Sequence, residues 1–498
     1  MSATITRLDG DALTLDDDRI TELRGTFRGE VVVPGDEAYD DARAGGWNAL
    51  FFDRRPGMIV RAVGAADVID AVKLAAAERL VLAVRGGGHS IAGHSSVDGG
   101  LLLDMSAMNA VWVDPSTGIV TAQAGATWGD VDREAQAFGL AVPGGIISTT
   151  GIGGLTLGGG IGWLHRKFGL ACDNLRSVQM VTADGRLIRA SQDEEPDLFW
   201  ALRGGGGNFG VVVTMEFVTH KVGPMVFQAA PIYPMSAASE VLPKWIAWSR
   251  SAPDEATSRA LFWTFPDVEE LPAEIRGHDV LILAALHSGP AEDGERELQP
   301  LREMGELLFD LSMAMPYRMA QSGFDPFFAK GVTRSYWKSI YLDDLDDAAV
   351  DLIVRQAANR PHPLTLIHIP LMGGATGRVA ADATAFGDRS AAFMLSIDGN
   401  WTEPSGDAVG IAWTRAFIDE AAKLSSARGT FLSFSGEEEI DGDLRAAAFG
   451  DNLRRLTEVK DRFDPANLFR LNNNVPPSKT VELPGQRLDV EQPELHRS

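Results

Sequence analysis

The sequence lacks most features of secreted, membrane-bound or nucleic-acid-binding proteins. Its 498 residues include one cysteine, Cys172, so no internal disulfide can form, which is typical of a reducing compartment. It has no run of about eighteen apolar residues, and its first residues lack the layout of a signal peptide. Basic residues are few, 45 against 69 acidic ones, and the net charge of −24 argues against nucleic acid or an anionic membrane as a partner. These absences predict a cytoplasmic protein.

Several catalytic motifs are also missing. The sequence contains no G-x-x-x-x-G-K-[ST], H-E-x-x-H or G-x-S-x-G, which P-loop, zincin and serine-hydrolase sites require. His94 follows His89 without a third ligand at a suitable spacing, so no metal site is predicted. The chain is longer than one hydrophobic core usually serves, and 45% of its residues are hydrophobic. We therefore expect two domains.

Glycine, in contrast, is abundant and is concentrated in three clusters. The first is residues 86–88, which follow an apolar run at residues 79–85 that predicts a buried strand. The second is residues 144–162, where nine of nineteen positions are glycine. Glycine loses much backbone entropy on ordering and buries no side chain, so this density indicates a ligand or another backbone close by. Glycine turns also expose N–H groups that suit a diphosphate.

The third cluster, residues 204–210, excludes one class of nucleotide site. Gly205, Gly207 and Gly210 have the spacing G-x-G-x-x-G. A dinucleotide fingerprint needs a strand before it and a helix after it. Here a helix-like segment at 197–203 precedes the glycines and a strand-like segment at 211–217 follows, so a nicotinamide-type Rossmann site is rejected.

Together these blocks resemble the berberine-bridge-enzyme-like oxidases of the vanillyl-alcohol-oxidase/PCMH flavoprotein superfamily, in the style of bacterial 6-hydroxynicotine-oxidase-like members. The resemblance implies an α+β chain with a two-domain PCMH-type FAD-binding fold, in which the central substrate domain is built on an antiparallel sheet flanked by helices. It places the FAD domain at 1–222, the substrate domain at 223–439, a returning segment at 440–478 and a loosely ordered tail at 479–498. The matching blocks are residues 33–40, 85–90, 98–104, 151–162, 197–210 and 463–470.

The same resemblance implies an FAD cofactor attached once, through His89, to the 8α position of the flavin ring. Many relatives carry a second link through a cysteine, but the matching position here is Ile147. The predicted cofactor-binding residues are Arg85, Gly86, Gly87, Gly88, His89, Ser90, Gly144, Ser148, Thr149, Thr150, Gly151, Gly154, Gly158, Gly159, Gly160, Gly162, Gly210, Val211, Asn472 and Asn474.

The usual catalytic bases of these relatives are absent. Where many have Tyr-x-Asn-Tyr this chain has Phe431 and Phe434, and where plant relatives have a glutamate it has Ala381. A neutral imidazole can accept a proton near neutral pH, so His368, in the strand-like segment 364–372, is a candidate base. The other candidates are Asp382, His287 and Tyr233, and Trp263, Trp337 and Trp401 are candidates for stacking against a substrate ring.

The leading hypothesis is an FAD-linked oxidase that removes a hydride from a CH–OH carbon of a small metabolite such as a sugar or glycoside. Thr150, just before the Gly-x-Gly-Gly segment, is smaller than the leucine that disfavours oxidase behaviour in relatives, so O₂ is the expected acceptor and H₂O₂ the product. Three alternatives stay open: oxidation of a CH–NH carbon in an alkaloid-like amine, a dehydrogenase with another acceptor, and a non-catalytic flavin-binding module. The oligomeric state is left open.

Overall fold

Helices and strands are both present in the computed structural model, which describes residues 2–436 and 442–479. The helices are α1 (Asp17–Thr26), α2 (Tyr39–Arg43), α3 (Ala65–Ala77), α4 (Trp128–Gln136), α5 (Ile152–Leu157), α6 (His165–Phe168), α7 (Pro196–Ala201), α8 (Ala238–Ser249), α9 (Ala291–Glu297), α10 (Tyr317–Gln321), α11 (Asp347–Ala358), α12 (Ala375–Arg378), α13 (Asp407–Ala421), α14 (Gly442–Phe449) and α15 (Asn452–Phe463).

The strands are mostly short in the first half of the chain and longer in the centre. They are β1 (Ala3–Thr6), β2 (Ala12–Leu15), β3 (Glu30–Val32), β4 (Met58–Arg61), β5 (Leu82–Arg85), β6 (Leu101–Asp104), β7 (Val111–Asp114), β8 (Ile119–Gln123), β9 (Leu140–Ala141), β10 (Leu175–Val181), β11 (Leu187–Ser191), β12 (Val211–Val218), β13 (His220–Lys221), β14 (Met225–Ala229), β15 (Pro231–Pro234), β16 (Ala256–Thr264), β17 (Asp279–His287), β18 (Phe309–Asp310), β19 (Met313–Pro316), β20 (Arg334–Leu342), β21 (Leu366–Pro370), β22 (Phe393–Trp401) and β23 (Ala427–Arg428). The α+β class is confirmed.

Two sheets in the first half of the chain position the glycine clusters. A four-stranded sheet has the order β3-β4-β6-β5, with β4 and β5 both parallel to β6, and β5 ends directly before the first cluster. An antiparallel five-stranded sheet has the order β11-β10-β12-β8-β7. The third cluster lies between α7 and β12, which confirms the helix-then-strand order that argues against a Rossmann site.

The central part of the chain forms a ten-stranded sheet, with β16, β21, β22 and β20 adjacent in its middle. Side chains alternate between the two faces of a strand. One face, which includes Ile367 and Ile397, packs on Trp245 of α8, Ile353 of α11 and Phe417 of α13. The opposite face carries the intervening residues of the same strands, and it is this face that lies against the glycine-rich segments.

The end of the chain returns to the first half. Leu456, Val459 and Phe463 of α15 share a core with β8, β10 and β12, and Phe469 packs in the core of the four-stranded sheet. The predicted boundary at 439/440 lies outside the described residues, and so does the predicted loosely ordered tail beyond residue 479. Within the described ranges, no helix has the length and apolar character needed to cross a bilayer.

A fully buried ion pair holds this C-terminal segment in place. Lys460 donates to Asp464 (2.7 Å) and to the carbonyls of Asn208 (2.8 Å) and Phe469 (3.1 Å), and burial lowers its pKa. Asp464 also accepts from the N–H groups of Leu468 (2.8 Å) and Phe469 (2.9 Å). The pair therefore connects α15 to the third glycine cluster and to the segment that follows.

Replacing Lys460 by alanine is expected to lower the free energy of unfolding by about 3–5 kcal/mol, because the carboxylate of Asp464 is left buried without its partner. The midpoint of chemical unfolding measures this loss. Arg454→Ala is the matched control, since Arg454 pairs with Glu458 on the exposed side of the same helix and such pairs contribute about 0.3–0.5 kcal/mol. Equal midpoints for the two variants would contradict a stabilising role for the buried pair.

Candidate active site

The described residues enclose a cavity of about 350 Å³ between the glycine-rich segments and the open face of the central sheet. This volume lies in the range of small-molecule sites, about 300–1,000 Å³. One side is formed by the first and second glycine clusters, by Gly206, Gly207 and Gly210 of the third, and by residues 469 and 471–473. The other side is formed by the sheet and by residues 431–435. The cavity is therefore built by parts of the chain that are distant in sequence.

His89 lies at the cavity surface with its ring held on three sides. Its Nε2 is 3.0 Å from Oγ1 of Thr149 and its Nδ1 is 3.3 Å from Oγ1 of Thr150. The imidazole also stacks on Trp47, with ring centroids 5.7 Å apart and an interplanar angle of 19°. Burial, with a smaller contribution from the charge of Lys330, lowers the pKa of His89 to about 3. The imidazole is therefore neutral at pH 7 and has a ring nitrogen with a free electron pair.

Much of the glycine is required where two backbone segments approach each other. A Cβ on Gly87 would lie 2.3 Å from the nitrogen of Gly151, and a Cβ on Gly151 would lie 2.4 Å from the nitrogen of Gly87. Gly154 and Gly207 differ, because they line the cavity and a Cβ on either would meet nothing within 4 Å. The first pair joins two loops, whereas the second leaves room along the cavity wall for a ligand.

Buried polar atoms without partners also indicate that a ligand binds at the glycine-rich side of the cavity. We call this side the cofactor wall. Nε2 of His94 and Oδ1 of Asn472 are buried with no hydrogen-bond partner among the described residues, and both residues line the cavity. Burial lowers the pKa of His94 to about 4, so its ring is neutral at pH 7. A glycine-lined, largely apolar cavity with unused hydrogen-bonding atoms fits FAD, whose flat ring needs apolar walls and whose diphosphate needs N–H donors.

A histidine and an aspartate face this wall from the central sheet. Nε2 of His368, on β21, lies 3.3 Å from Oδ2 of Asp398, on β22, and their side chains are 3% and 2% exposed. Ser396 donates to the other carboxylate oxygen of Asp398 at 2.5 Å. Nδ1 of His368 is buried without a partner among the described residues, so the contact with Asp398 favours the tautomer that carries its proton on Nε2. Both His368 and Asp398 line the cavity, where they form a histidine–carboxylate pair.

The structure brings many of the predicted cofactor residues to the cavity and leaves others behind its wall. Those that line it are Gly86, Gly87, Gly88, His89, Ser90, Thr150, Gly151, Gly154, Gly158, Gly210, Val211 and Asn472. Those that do not are Arg85, Gly144, Ser148, Thr149, Gly159, Gly160, Gly162 and Asn474.

The second group has structural contacts that account for its position. Arg85 is buried and donates to Asp104 (2.8 Å) and to the carbonyl of Arg43 (3.1 Å), so its guanidinium fixes the end of β5 instead of facing a ligand. Ser148 bonds Asp325 of the central region through its hydroxyl and its N–H. Gly162 packs against the backbone of Gly144, where a Cβ would lie 2.0 Å from the carbonyl oxygen.

Three of the four predicted catalytic candidates lie outside the cavity. Tyr233 is buried on the helix-covered face, where its hydroxyl donates to the carbonyl of Leu301 (2.6 Å). His287, which shares the helix-covered side of β17 with Leu281, lies 3.0 Å from Glu297. Asp382 is exposed, and its carbonyl accepts from Trp200. Only His368 among the four candidates lines the cavity.

The positions where relatives carry other reactive groups are apolar here. Ile147, Phe431 and Phe434 all line the cavity, and no tyrosine does so within the described part of the chain. Cys172 is fully buried away from the cavity, and burial raises the pKa of its thiol. Among the tryptophans named above, Trp337 lines the cavity, whereas Trp263 and Trp401 do not.

Sequence reasoning missed Asp398 and the ring of Trp47. A signal for Asp398 was present, since Ser396, Asp398 and Asn400 alternate with apolar residues in an otherwise buried strand and so share one face. Trp47 follows two glycines in a loop and carries no comparable pattern. The described residues contain no group of three or more His, Cys, Asp or Glu side chains placed to hold a metal ion.

Family models match at both ends of the chain. The FAD binding domain model matches residues 56–191, and the "Berberine and berberine like" model matches residues 432–476. These segments include the first two glycine clusters and the returning segment of the cavity. The fold and site thus define an FAD-binding protein of PCMH type.

Known proteins are similar to this chain along nearly its whole length. An uncharacterised FAD-linked oxidoreductase of Bacillus subtilis, YgaK, is 31% identical over 90% of this chain and 97% of its own. The crystal structure of 6-hydroxy-D-nicotine oxidase from Arthrobacter nicotinovorans matches with a TM-score of 0.79 at 26% identity, over 90% of this chain and 98% of that one. Xylooligosaccharide oxidase from Myceliophthora thermophila shares the fold, with a TM-score of 0.80 at 23% identity over 92% and 99%. The chain belongs to the berberine-bridge-enzyme-like family of FAD-linked oxidoreductases.

Proposed function

We propose that this enzyme oxidises a CH–OH carbon of a small molecule to a carbonyl and passes the electrons to O₂, which forms H₂O₂. The observation that carries the proposal is the His368–Asp398 pair, which faces the cofactor wall from the opposite side of the cavity. Bound FAD supplies a hydride acceptor in chemistry of this kind. The substrate loses one hydride and one proton, so the chain must provide a proton acceptor and hold the substrate between it and the cofactor.

The pair is suited to receive the hydroxyl proton. Nε2 of His368 lies 3.3 Å from a carboxylate oxygen of Asp398, so the substrate's proton would be accepted at Nδ1, the ring nitrogen without a partner among the described residues, and the carboxylate would stabilise the protonated ring. Asp398 is held by the hydroxyl of Ser396 at its other oxygen, so its own position is fixed before substrate binds. In this scheme His368 is the base and Asp398 orients it and balances its charge.

His89 is the proposed attachment point of the flavin. Its neutral ring offers a nitrogen at the cavity surface, and Trp47 and the two threonine hydroxyls hold its orientation. Ile147, which has no nucleophilic atom, occupies the position of the second link in relatives.

A single link makes a specific mass-spectrometric prediction. Tryptic digestion of the purified enzyme should yield one flavin-bearing peptide, residues 86–133, which contains both His89 and His94. The flavin should disappear from this peptide in His89→Ala and remain in the matched control His94→Ala, because only His89 is proposed to be linked. Flavin that separates from the wild-type protein on acid precipitation would show that the attachment is non-covalent.

Thr150 supports O₂ as the acceptor. It lines the cavity beside His89, and its short side chain leaves space that a leucine would fill. Peroxide should therefore appear in step with product during aerobic turnover. A reduced enzyme that is reoxidised by an artificial dye and not by air would limit the activity to that of a dehydrogenase.

One observation favours an amine as a second candidate substrate. Asp398 places a buried carboxylate at the cavity, and a protonated amine would find a counter-charge there. The nicotine oxidase with which this chain shares its fold acts, by its name, on such a nitrogen-containing compound.

Anaerobic bleaching of the flavin tests the proposal directly. The yellow enzyme is mixed without oxygen with a panel of alcohols and sugars and with a matched panel of amines, and the flavin absorbance is followed. Bleaching by members of the first panel supports oxidation at CH–OH. Bleaching by amines alone would replace it with oxidation at CH–NH, and no bleaching by any compound would favour a flavin-binding module without catalysis.

A further inference from the structure

We propose that the substrate is an apolar alcohol whose CH–OH carbon is attached to an aromatic or otherwise flat ring, and that it is not a saccharide. This inference rests on the proposed oxidation of a CH–OH carbon and specifies the class of molecule that carries it. It is drawn from the side of the cavity opposite the cofactor wall, where the substrate must lie. Apolar side chains predominate there, namely Leu261, Phe324, Phe328, Trp337, Leu366 and Phe434.

The aromatic rings on this side of the cavity have fixed orientations, and they extend as far as His368, the proposed base. The indole N–H of Trp337 donates to Oδ1 of Asn400 at 2.8 Å, so its polar edge is occupied and its carbon surface is left for the cavity. Trp337 meets Phe434 at 5.4 Å with an angle of 80° between rings, and Phe434 meets His368 at 6.0 Å with an angle of 63°. A ring bound against this wall would therefore have its neighbouring carbon close to the base.

The same rings extend to the other end of the cavity. Trp47 lies 5.6 Å from Trp337 and also stacks on His89, the proposed attachment point of the flavin. Apolar aromatic surface thus lines the cavity from His89, the proposed attachment point of the flavin, to His368, the proposed base. Flat apolar molecules are bound well by such walls because the burial of their surface and ring-to-ring contacts both contribute.

The polar side chains on this face of the sheet already form hydrogen bonds with one another. Asn400 accepts from Ser335 (2.7 Å) as well as from Trp337, and Ser396 donates to Asp398. Neither Asn400 nor Ser335 lines the cavity. A saccharide would bring several hydroxyls into this space, where the polar side chains on the sheet side of the cavity are the His368–Asp398 pair, Ser433 and Ser435, so most of those hydroxyls would exchange water for hydrocarbon. The wall therefore discriminates against sugars.

Rates of anaerobic flavin reduction test the inference in the holoenzyme. Benzyl alcohol, cinnamyl alcohol and 1-phenylethanol form one set, and glucose, cellobiose and xylobiose form the other. The second-order rate of reduction by the best ring alcohol should exceed that of the best saccharide by about 100-fold or more, a ratio typical of a site that lacks partners for a ligand's hydroxyls. Faster reduction by a saccharide would overturn the inference and leave the proposed oxidation of CH–OH intact. Reduction by amines alone, or by nothing, would overturn both.

Two variants test whether these aromatic side chains bind the ring of the substrate. Trp337→Leu and, separately, Phe434→Leu should raise KM for the ring alcohol by about 2- to 13-fold, the ratio that corresponds to lost ring contacts of about 0.5–1.5 kcal/mol, with a smaller effect on kcat. Trp112→Leu is the control, because Trp112 is 55% exposed on β7 and lies outside the cavity. Two variants are used because Trp337 is buried whereas Phe434 is half-buried and tolerates change more easily. An unchanged KM in a folded Phe434→Leu enzyme would overturn the role of the wall.

Discussion

His368→Ala is expected to slow anaerobic reduction of the flavin about 10²- to 10⁴-fold, the usual contribution of a positioned base. The protein should stay yellow and folded, because Asp398 keeps its hydrogen bond from Ser396 (2.5 Å) and no hydrogen bond joins the His368 ring to the glycine-rich segments among the described residues. Stopped-flow measurement of the reduction rate at saturating substrate isolates this step from reoxidation by oxygen.

Companion variants separate a base from a merely buried histidine. Asp398→Asn should also slow reduction, and the double variant should lose little more than His368→Ala, because the two side chains act as a unit. His278→Ala removes an exposed histidine of the same domain and should leave the rate unchanged. Wild-type rates in a properly folded His368→Ala enzyme would remove this residue from the reaction.

Gly87→Ala is expected to lower the flavin content of the purified protein about tenfold, since overpacking of this kind typically costs about 1–3 kcal/mol. The new Cβ would lie 2.3 Å from the nitrogen of Gly151 and 2.5 Å from its Cα. Both are backbone atoms, so no rotamer change relieves the clash and the two loops must separate. The ratio of flavin to protein absorbance measures the result, together with the melting temperature.

A double-variant cycle identifies the cause. Gly151→Ala should reproduce the loss, because its Cβ would meet the nitrogen of Gly87 at 2.4 Å. Since both changes separate the same two loops, Gly87→Ala combined with Gly151→Ala should be far less damaging than the sum of the two. Gly25→Ala is the control, as Gly25 is exposed on α1 with nothing near its Cβ and should gain up to about 1 kcal/mol of stability. Full flavin content in Gly87→Ala would show that the loops can separate without loss of the cofactor.

Local sequence patterns predicted most of the elements that carry the site. The apolar run before the first glycine cluster is β5, the strand-like segment after the third cluster is β12, and the strand-like segment around His368 is β21. Such runs are recognised because β-branched and apolar residues form buried strands whatever they later pack against. The second glycine cluster was expected to need a ligand or another backbone close by, and Gly87 is a backbone neighbour of Gly151.

Such local patterns could not show which of the catalytic candidates lies at the cavity. His287 and His368 both lie in strongly apolar strands, and nothing local distinguishes them. In the sheet, His287 shares the helix-covered face with Tyr233, whereas His368 lies on the face toward the cofactor wall. Which face of a strand receives helices depends on the register of its neighbours and on where α8, α11 and α13 pack.

The sequence by itself determined the class of this protein through its resemblance to a known family, because the glycine-rich segments that carry the resemblance have backbone requirements that are local. The tertiary structure alone decided the chemistry of the cavity. It brought Asp398 to within 3.3 Å of His368 from a different strand, and it placed Tyr233, His287 and Asp382 outside the cavity. The physical reason is that a side chain's reactivity depends on the groups across the sheet and the loops above it, and those contacts are made only when distant segments pack together.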